Sequence, residues 1–438
     1  MIKRLIYKKL KNWATEAGRK PLLLRGARQV GKTYIINEFG KNEFENYIII
    51  NFERNLEYKE IFSTFDPKEI IEKISIFTGQ EIIIGKTLLF LDEIQEHAKA
   101  ITALRYFYEE MPELHVIGAG SLLEFALKQE DFKMPVGRIQ YLYMYPLNFN
   151  EFLEAIGEQH LNKYLSKIEN ILNIPNSIHE KALNLVRKYF IIGGMPEVVK
   201  KYINSRDIIK CQKVQSSIIS TYKDDFGKYA KESKYLYLQK IFQSASQLIG
   251  QKFVYAKVDD SIKSRELKDA LQLLELAGIL IRIKNSNGEG LPLEAHAKEN
   301  YFKVIFLDIG LVHRLSGISG EIISQKDLNS IFRGAIAEQF VGQELLSNQS
   351  PYTKANLYYW ARDARGSNAE IDYLVEHKGA IIPIEVKSGH INKMKSLWMF
   401  IEKYKSEKAI RVSQSNYTVD KQVVTVPFYV LDAFMGQL

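Results

Sequence analysis

The sequence predicts an α/β protein of several domains, and three observations carry that prediction. Between residues 20 and 150, short apolar runs alternate with stretches of helical periodicity, as in βαβ units. From about 148 to 250 the strand signal stops and helical periodicity continues alone. Past residue 279 the short apolar runs return. A length of 438 residues suits about two to four domains, and 46% hydrophobic residues suffice for several packed cores.

Each element follows from its local pattern. "PLLLRG", "YIIINFE", "TLLFLDE" and "LHVIGAG" are continuously apolar, as strands buried on both faces of a parallel sheet must be. They assign residues 1–150 to an α/β core. "NEFLEAIGEQHLNKYLSKIENIL" and "HEKALNLVRKYFII" repeat apolar residues at helical spacing, which predicts a helical lid and connector over 151–230. "LYLQKIFQSASQLIGQ" and "KSRELKDALQLLELAGIL" read as two helices, the second ending at Gly278. The strand "ILIRIK", a polar loop and "YFKVIFLD" come next. Helix, helix and hairpin in that order predict a winged helix over 231–310. The remainder, 311–438, holds the helix "RGAIAEQFVGQELL", strands "LYYWARD", "AEIDYLV" and "AIIPIEV", the helix "NKMKSLWMFIEKY" and the closing run "TVPFYVLD". This is a second α/β unit. No fixed-period repeat or low-complexity tract appears.

The strongest chemical signal is "GARQVGKT": Gly26, Ala27, Arg28, Gln29, Val30, Gly31, Lys32 and Thr33. It fits G-x-x-x-x-G-K-[ST] between a strand and a helix, the setting of a phosphate-binding P-loop. Its glycines let backbone N–H groups turn toward the phosphates. Lys32 would reach the β- and γ-phosphates of ATP, and Thr33 would hold Mg²⁺. "TLLFLDEIQ" supplies the partner: Asp92 at a strand tip for the Mg²⁺, and Glu93 to orient or deprotonate the attacking water. Ser121, at the tip of "LHVIGAGS", either bonds the γ-phosphate or caps the following helix. Arg138 in "PVGRIQYLYMYP" either serves a neighbouring copy as an arginine finger, which implies a homo-oligomer, or pairs with a carboxylate.

A second signal lies in "NAEIDYLVEHKGAIIPIEVKSG", a hairpin carrying Glu370, Asp372, Glu385 and Lys387. Glu385 and Lys387 are two apart and share a strand face, while Val386 faces the core. Such a hairpin is either a surface salt bridge or a metal site for phosphodiester cleavage.

The net charge of +8 favours contact with phosphates, DNA included. Lys263, Arg265 and Lys268 fall on or near the second helix of the expected winged helix. They would read DNA there, or the domain contacts a protein partner instead. The first residues, "MIKRLIYKKLKNWATEAG", lack the apolar core of a signal peptide, and no run approaches a membrane span. One cysteine, Cys211, permits no internal disulfide. A cytoplasmic protein that avoids membranes is expected.

Five stretches, "LRGARQVGKT", "LLFLDEIQ", "GRIQYLYMYPLNFNEF", "YFIIGGMPEVV" and "IFLDIGL", together resemble the prokaryotic AAA-type P-loop ATPases that end in a nuclease-like domain. The resemblance covers residues 18 to 390. It implies an AAA-type P-loop NTPase core, a helical lid, a winged helix and a C-terminal α/β domain folded like restriction endonucleases. Such nucleases place an acid before one strand and E-x-K on the next, which Asp372 and Glu385-Val386-Lys387 match. They often add an acidic ligand from the preceding helix, where Glu338 stands. The resemblance thus implies that Glu338, Asp372 and Glu385 bind a metal and that Lys387 assists cleavage.

Overall fold

A computed structural model describes residues 2–121, 123, 137–229, 232–317, 334–363, 368–388 and 394–436. The first sheet contains β1 (Leu22–Arg25), β2 (Asn46–Asn51), β3 (Thr87–Asp92), β4 (His115–Ala119) and β5 (Gln140–Tyr143), in the order β2-β3-β4-β1-β5. Every pairing is parallel. The first four strands are the four apolar runs expected from the sequence. Their continuity has a direct cause: Leu22, Leu24, Leu88 and Phe90 enter one core, while Leu23, Leu89 and Leu91 enter the core on the other face. β5 lies inside "GRIQYLYMYP", which reads from sequence as a motif and not as a strand.

Helices dominate the described residues from 149 to 247, from Phe149–Ile156 through Asn176–Ile192, Pro196–Ser205 and Ile208–Tyr229 to Glu232–Gln247. Asn148 and Glu151 form a reciprocal capping box on the first of them. Helix Ser264–Leu276 packs Leu267, Ala270, Leu271 and Leu274 inward, and the chain turns at Gly278.

The second sheet has eight strands: β6 (Leu280–Ser286), β7 (Ala297–Phe306), β8 (Leu357–Ala361), β9 (Glu370–His377), β10 (Ala380–Lys387), β11 (Ala409–Ser413), β12 (Thr418–Asp420) and β13 (Val423–Pro427). Their order is β12-β13-β11-β10-β9-β8-β6-β7. The hairpin β6–β7, expected as the wing of a separate domain, pairs through β6 with β8 in parallel. A boundary at residue 310 therefore parts strands that share one hydrogen-bonded sheet. The run "TVPFYVLD" begins within strand Val423–Pro427 and then turns helical at Phe428–Val430 and Leu431–Met435. Among the described residues no helix is long and apolar enough to cross a membrane.

Candidate nucleotide-binding site and carboxylate cluster

The P-loop connects β1 to helix Lys32–Glu43. Gly26 takes a φ of 148°, and any Cβ there would strike the backbone carbonyl of Met144 just past β5. Glycine is thus required both for the turn and for the close approach. Gly31, at φ 96°, caps the helix. Lys32 is buried and donates from Nζ to the carbonyls of Gly26 and Ala27, each at 2.8 Å. Burial lowers its pKa to about 8, against the opposing pull of Glu93 and Asp92.

Thr33 Oγ1 donates to Asp92 Oδ1 at 3.1 Å, and Asn51 Nδ2 donates to the other Asp92 oxygen at 3.0 Å. Burial and the neighbouring Glu93 raise the Asp92 pKa. Glu93 follows in the left-handed region (φ 49°), and its Oε2 accepts from Gln95 Nε2 at 2.6 Å. A hydroxyl beside a buried carboxylate at a strand tip is the donor set that a hard, oxygen-seeking Mg²⁺ needs alongside phosphate. The residues fit that ion.

A cavity of about 590 Å³ opens over this loop. Arg28, Gln29, Gly31, Lys32, Thr33, Glu93 and Ser121 line one side; Pro196, Glu197, Lys200 and Asn204 of helix Pro196–Ser205 line the other. Ser121 is in the cavity and accepts from Arg28 Nε at 3.1 Å. The stretch it would cap lies mostly outside the described residues. Arg138 is not in the cavity; its Nε pairs with Glu109 at 2.8 Å on the surface.

Sequence reasoning missed Arg4. Its Nη1 donates to the Val30 carbonyl at 3.0 Å and its Nη2 to the Tyr145 carbonyl at 2.6 Å, while Nε lies 3.1 Å from Glu151 Oε1. One buried guanidinium therefore ties the P-loop to the chain after β5 and to the helical region. Its partners are distant in sequence, so no local pattern reveals it.

The remaining motifs meet one another. Leu147 N–H donates to the Gly194 carbonyl at 2.8 Å, and Gly194 N–H donates to Asp308 Oδ2 at 2.6 Å. Asp308 also caps helix Ile309–Leu315 through Leu311 N–H. A Cβ on Gly193 (φ 73°) would collide with the Asp308 carboxylate. "LNFNEF", "GGMPEVV" and "FLDIGL" thus form one buried junction, directly before the helix that lines the cavity.

In the second sheet, Tyr373 pairs with Ile384, which sets Asp372 opposite Glu385 on one face. Asp372 Oδ2 accepts from Val386 N–H at 2.8 Å, and Lys387 Nζ reaches Glu385 Oε1 at 2.5 Å. Glu338 comes from helix Gly334–Asn348. The sequence-predicted residues are therefore brought together, but around a residue the sequence reading missed. Lys303 of β7, with a side chain only 1% exposed, places Nζ 3.2 Å from Glu338 Oε2 and 3.7 Å from Asp372 Oδ1, and in contact with Glu370 Oε1. Burial and Asp372 raise the pKa of Glu338; burial and Asp372 likewise raise that of Glu385, with Lys387 opposing. Among the described residues, no group of three or more His, Cys, Asp or Glu side chains is disposed to hold a metal. The expected ligand set of Glu338, Asp372 and Glu385 does not fit a divalent ion as it stands, because carboxylates converge on an ammonium.

Lys263, Arg265 and Lys268 are exposed at the start of helix Ser264–Leu276.

Comparison with known families agrees with the P-loop geometry. Residues 18–153 match a family described as AAA domain. The chain carries an AAA-type P-loop domain. Residues 183–322 match a domain of unknown function (DUF8612), and residues 333–430 match another (DUF4143). A search among curated proteins finds no match. Solved structures with some likeness include the Walker-type ATPase PABY2304 of Pyrococcus abyssi, 18% identical over 72% of this chain and 96% of that one, with a TM-score of 0.45. The Aeropyrum pernix ORC1 protein in complex with DNA is 12% identical over 71% and 90%, with a TM-score of 0.28. The Thermotoga maritima RuvB Holliday junction branch migration motor is 20% identical over 64% and 90%, with a TM-score of 0.27.

Proposed function

We propose that this protein binds and hydrolyses ATP with Mg²⁺ in the cytoplasm, and that the ATPase drives a DNA-associated task. The observation that carries the ATPase reading is that Lys32, Thr33 and Glu93 line one cavity while Asp92 accepts from Thr33 beside it. Loop N–H groups and Lys32 would bind the phosphates, Thr33 and Asp92 would hold the ion, and Glu93 would orient and deprotonate water. The bound ion would bridge phosphate oxygens and offset the charge that develops there. Ser121 and Arg28, which line the cavity, would contact the γ-phosphate. Glu93→Gln keeps the shape and removes the base, so ATP binding should persist and turnover should fall by at least about 100-fold. Hydrolysis at the parental rate in that variant would remove Glu93 from the mechanism.

DNA contact is supported by the net charge of +8 and by exposed Lys263, Arg265 and Lys268 on one helix start. Affinity for duplex DNA should fall steeply with salt, and replacing all three by Glu should flatten that dependence. Equal binding by the triple variant would move the DNA surface elsewhere. Arg138 is exposed and outside its own cavity, so a finger role belongs to a homo-oligomer in which it meets a neighbour's nucleotide.

A second reading is favoured by Lys303: a nucleotide-dependent switch that binds a protein partner and keeps its nuclease-like fold as scaffold. In that reading Glu338, Asp372, Glu385 and Lys387 hold the sheet together and cut nothing.

A further inference from the structure

The carboxylate cluster poses a charge problem that the chain solves internally. Glu338, Glu370, Asp372 and Glu385 come from one helix and two adjacent strands, and their side chains point to one place. Carboxylates so close repel unless a cation stands among them. Restriction-type sites answer this with a divalent ion, which needs oxygen ligands about 2.0–2.6 Å away. Here Lys303 answers it. The residue sits in mid-strand between the buried Phe302 and Val304, and its ammonium is removed from water. A buried ammonium is tolerated only when its charge and its N–H donors are met. Lys303 has three carboxylate neighbours, as many as the N–H donors it carries.

A second observation marks what is left over. Glu385 is 6% exposed, and among the described residues its Oε2 has no hydrogen-bond partner although Lys387 engages Oε1. The cluster thus keeps an unmatched buried acceptor. Four carboxylates face two ammonium groups there, Lys303 and Lys387. The donor set suits a hard cation, yet its centre is taken.

We propose that Lys303 is a built-in counter-ion that fills the place of a divalent cation, so that the cluster excludes metal in the native chain and accepts Mg²⁺-class ions once the ammonium is removed. This inference stands apart from the ATPase reading, since it concerns the second sheet and is tested without nucleotide.

Mn²⁺ is the probe, its binding followed by electron paramagnetic resonance on the full chain. The native protein should show no Mn²⁺ binding that Asp372→Asn abolishes. Lys303→Ala should bind one Mn²⁺ per chain at least tenfold tighter than the native protein. Adding Asp372→Asn to that variant should remove the gain. Lys303→Arg, which keeps the positive charge, should resemble the native protein. Lys303→Met, closer in length, serves if the alanine variant does not fold, and circular dichroism reports that. Thermal midpoints provide an independent reading: Mn²⁺ should raise the midpoint of the neutral variants by more than that of the native protein, and Asp372→Asn should remove the difference. A folded neutral variant that gains no Mn²⁺ would overturn the proposal. So would native binding lost on Asp372→Asn, an outcome that holds even if neither neutral variant folds.

Discussion

Replacing Arg4 by methionine tests whether the P-loop is anchored from the start of the chain. Methionine keeps much of the apolar stem and removes the guanidinium. Both partners of the Arg4–Glu151 pair are buried, with side chains 6% and 7% exposed, so solvent screens little of it. Removing one member of a buried pair costs about 3–5 kcal/mol, because the other charge stays behind. Glu151 retains donation from Leu5 N–H at 2.6 Å and from Asn148 N–H at 3.3 Å, which places the electrostatic loss near the lower bound. The carbonyls of Val30 and Tyr145 also lose their donors, at about 1 kcal/mol each. The expected total is roughly 4–5 kcal/mol. Glu151→Gln removes the stranded charge, so the double variant should cost less than the sum of the singles by about 1.5–3 kcal/mol. Urea unfolding followed by Trp13 fluorescence measures this, since Trp13 is buried on helix Ile6–Thr15, just past Arg4. Trp360 and Trp398 are replaced by phenylalanine in every arm. A loss below about 1 kcal/mol, or additivity within about 0.5 kcal/mol, would refute the anchoring role.

Two further predictions follow from buried ionisable groups. Lys32 has its pKa lowered to about 8 by burial, and phosphate would raise it. ATP binding at pH 8 should therefore take up about half a proton, seen as a binding heat that varies with the ionisation enthalpy of the buffer; a buffer-independent heat would contradict this. Asp308 has its pKa raised from 3.8 to about 6 by burial, against the backbone N–H bonds it accepts. Its contribution to stability is complete below its unfolded pKa and falls as pH rises through about 6. The native protein should thus lose about 2.5 kcal/mol relative to Asp308→Asn between pH 4 and pH 7.5, and parallel stability curves would exclude that cost.

Much of this was legible in the sequence where the determinants are local. Continuous apolar runs announced β1 to β4, and glycine spacing announced the P-loop. Strand parity placed Glu385 with Lys387, and the hairpin turn set Asp372 against Glu385. What escaped depends on contacts across long separations. Lys303 interrupts the run "YFKVIF", where alternation assigns a lysine to the solvent face; only the fold reveals that this face is covered by helix Gly334–Asn348. Arg4 reads as one more cation in a basic segment, because its partners lie near residues 30, 145 and 151. The parallel pairing of β6 with β8 spans an intervening hairpin, helices and loops, so two regions with separate local signatures merged into one sheet. For Arg138 the sequence left two readings, and within one chain it pairs with a carboxylate, that of Glu109, which leaves a finger acting on a neighbouring copy untested.

The nucleotide cavity and the second sheet are joined through one continuous core. Helix Pro196–Ser205, which lines the nucleotide cavity, begins just after Gly194, and Gly194 is clamped by Asp308 at the end of β7. Gln339 and Gln343 of helix Gly334–Asn348 bond the backbone of Phe306 and Ile309 at 2.9 Å. That helix also carries Glu338 of the cluster. This helical region and the second sheet are therefore joined by buried hydrogen bonds whose rupture would be costly. The first sheet meets this body closely too: Arg4 joins Val30 to Glu151, Tyr143 N–H of β5 donates to the Pro351 carbonyl at 2.8 Å, and Leu22 and Leu24 share one core with Phe190 and Phe340. Gly278 touches Ala27, and Arg28 pairs with Asp225 of helix Ile208–Tyr229 at 2.5 Å. Beside these contacts lies a cavity of about 250 Å³ lined by Gly26, Ala27, Tyr143, Gly278, Arg282 and Lys284. That gap interrupts a core that otherwise runs on from the first sheet into the second. Arg28, inside the P-loop and bonded to both Ser121 and Asp225, ties the loop to helix Ile208–Tyr229.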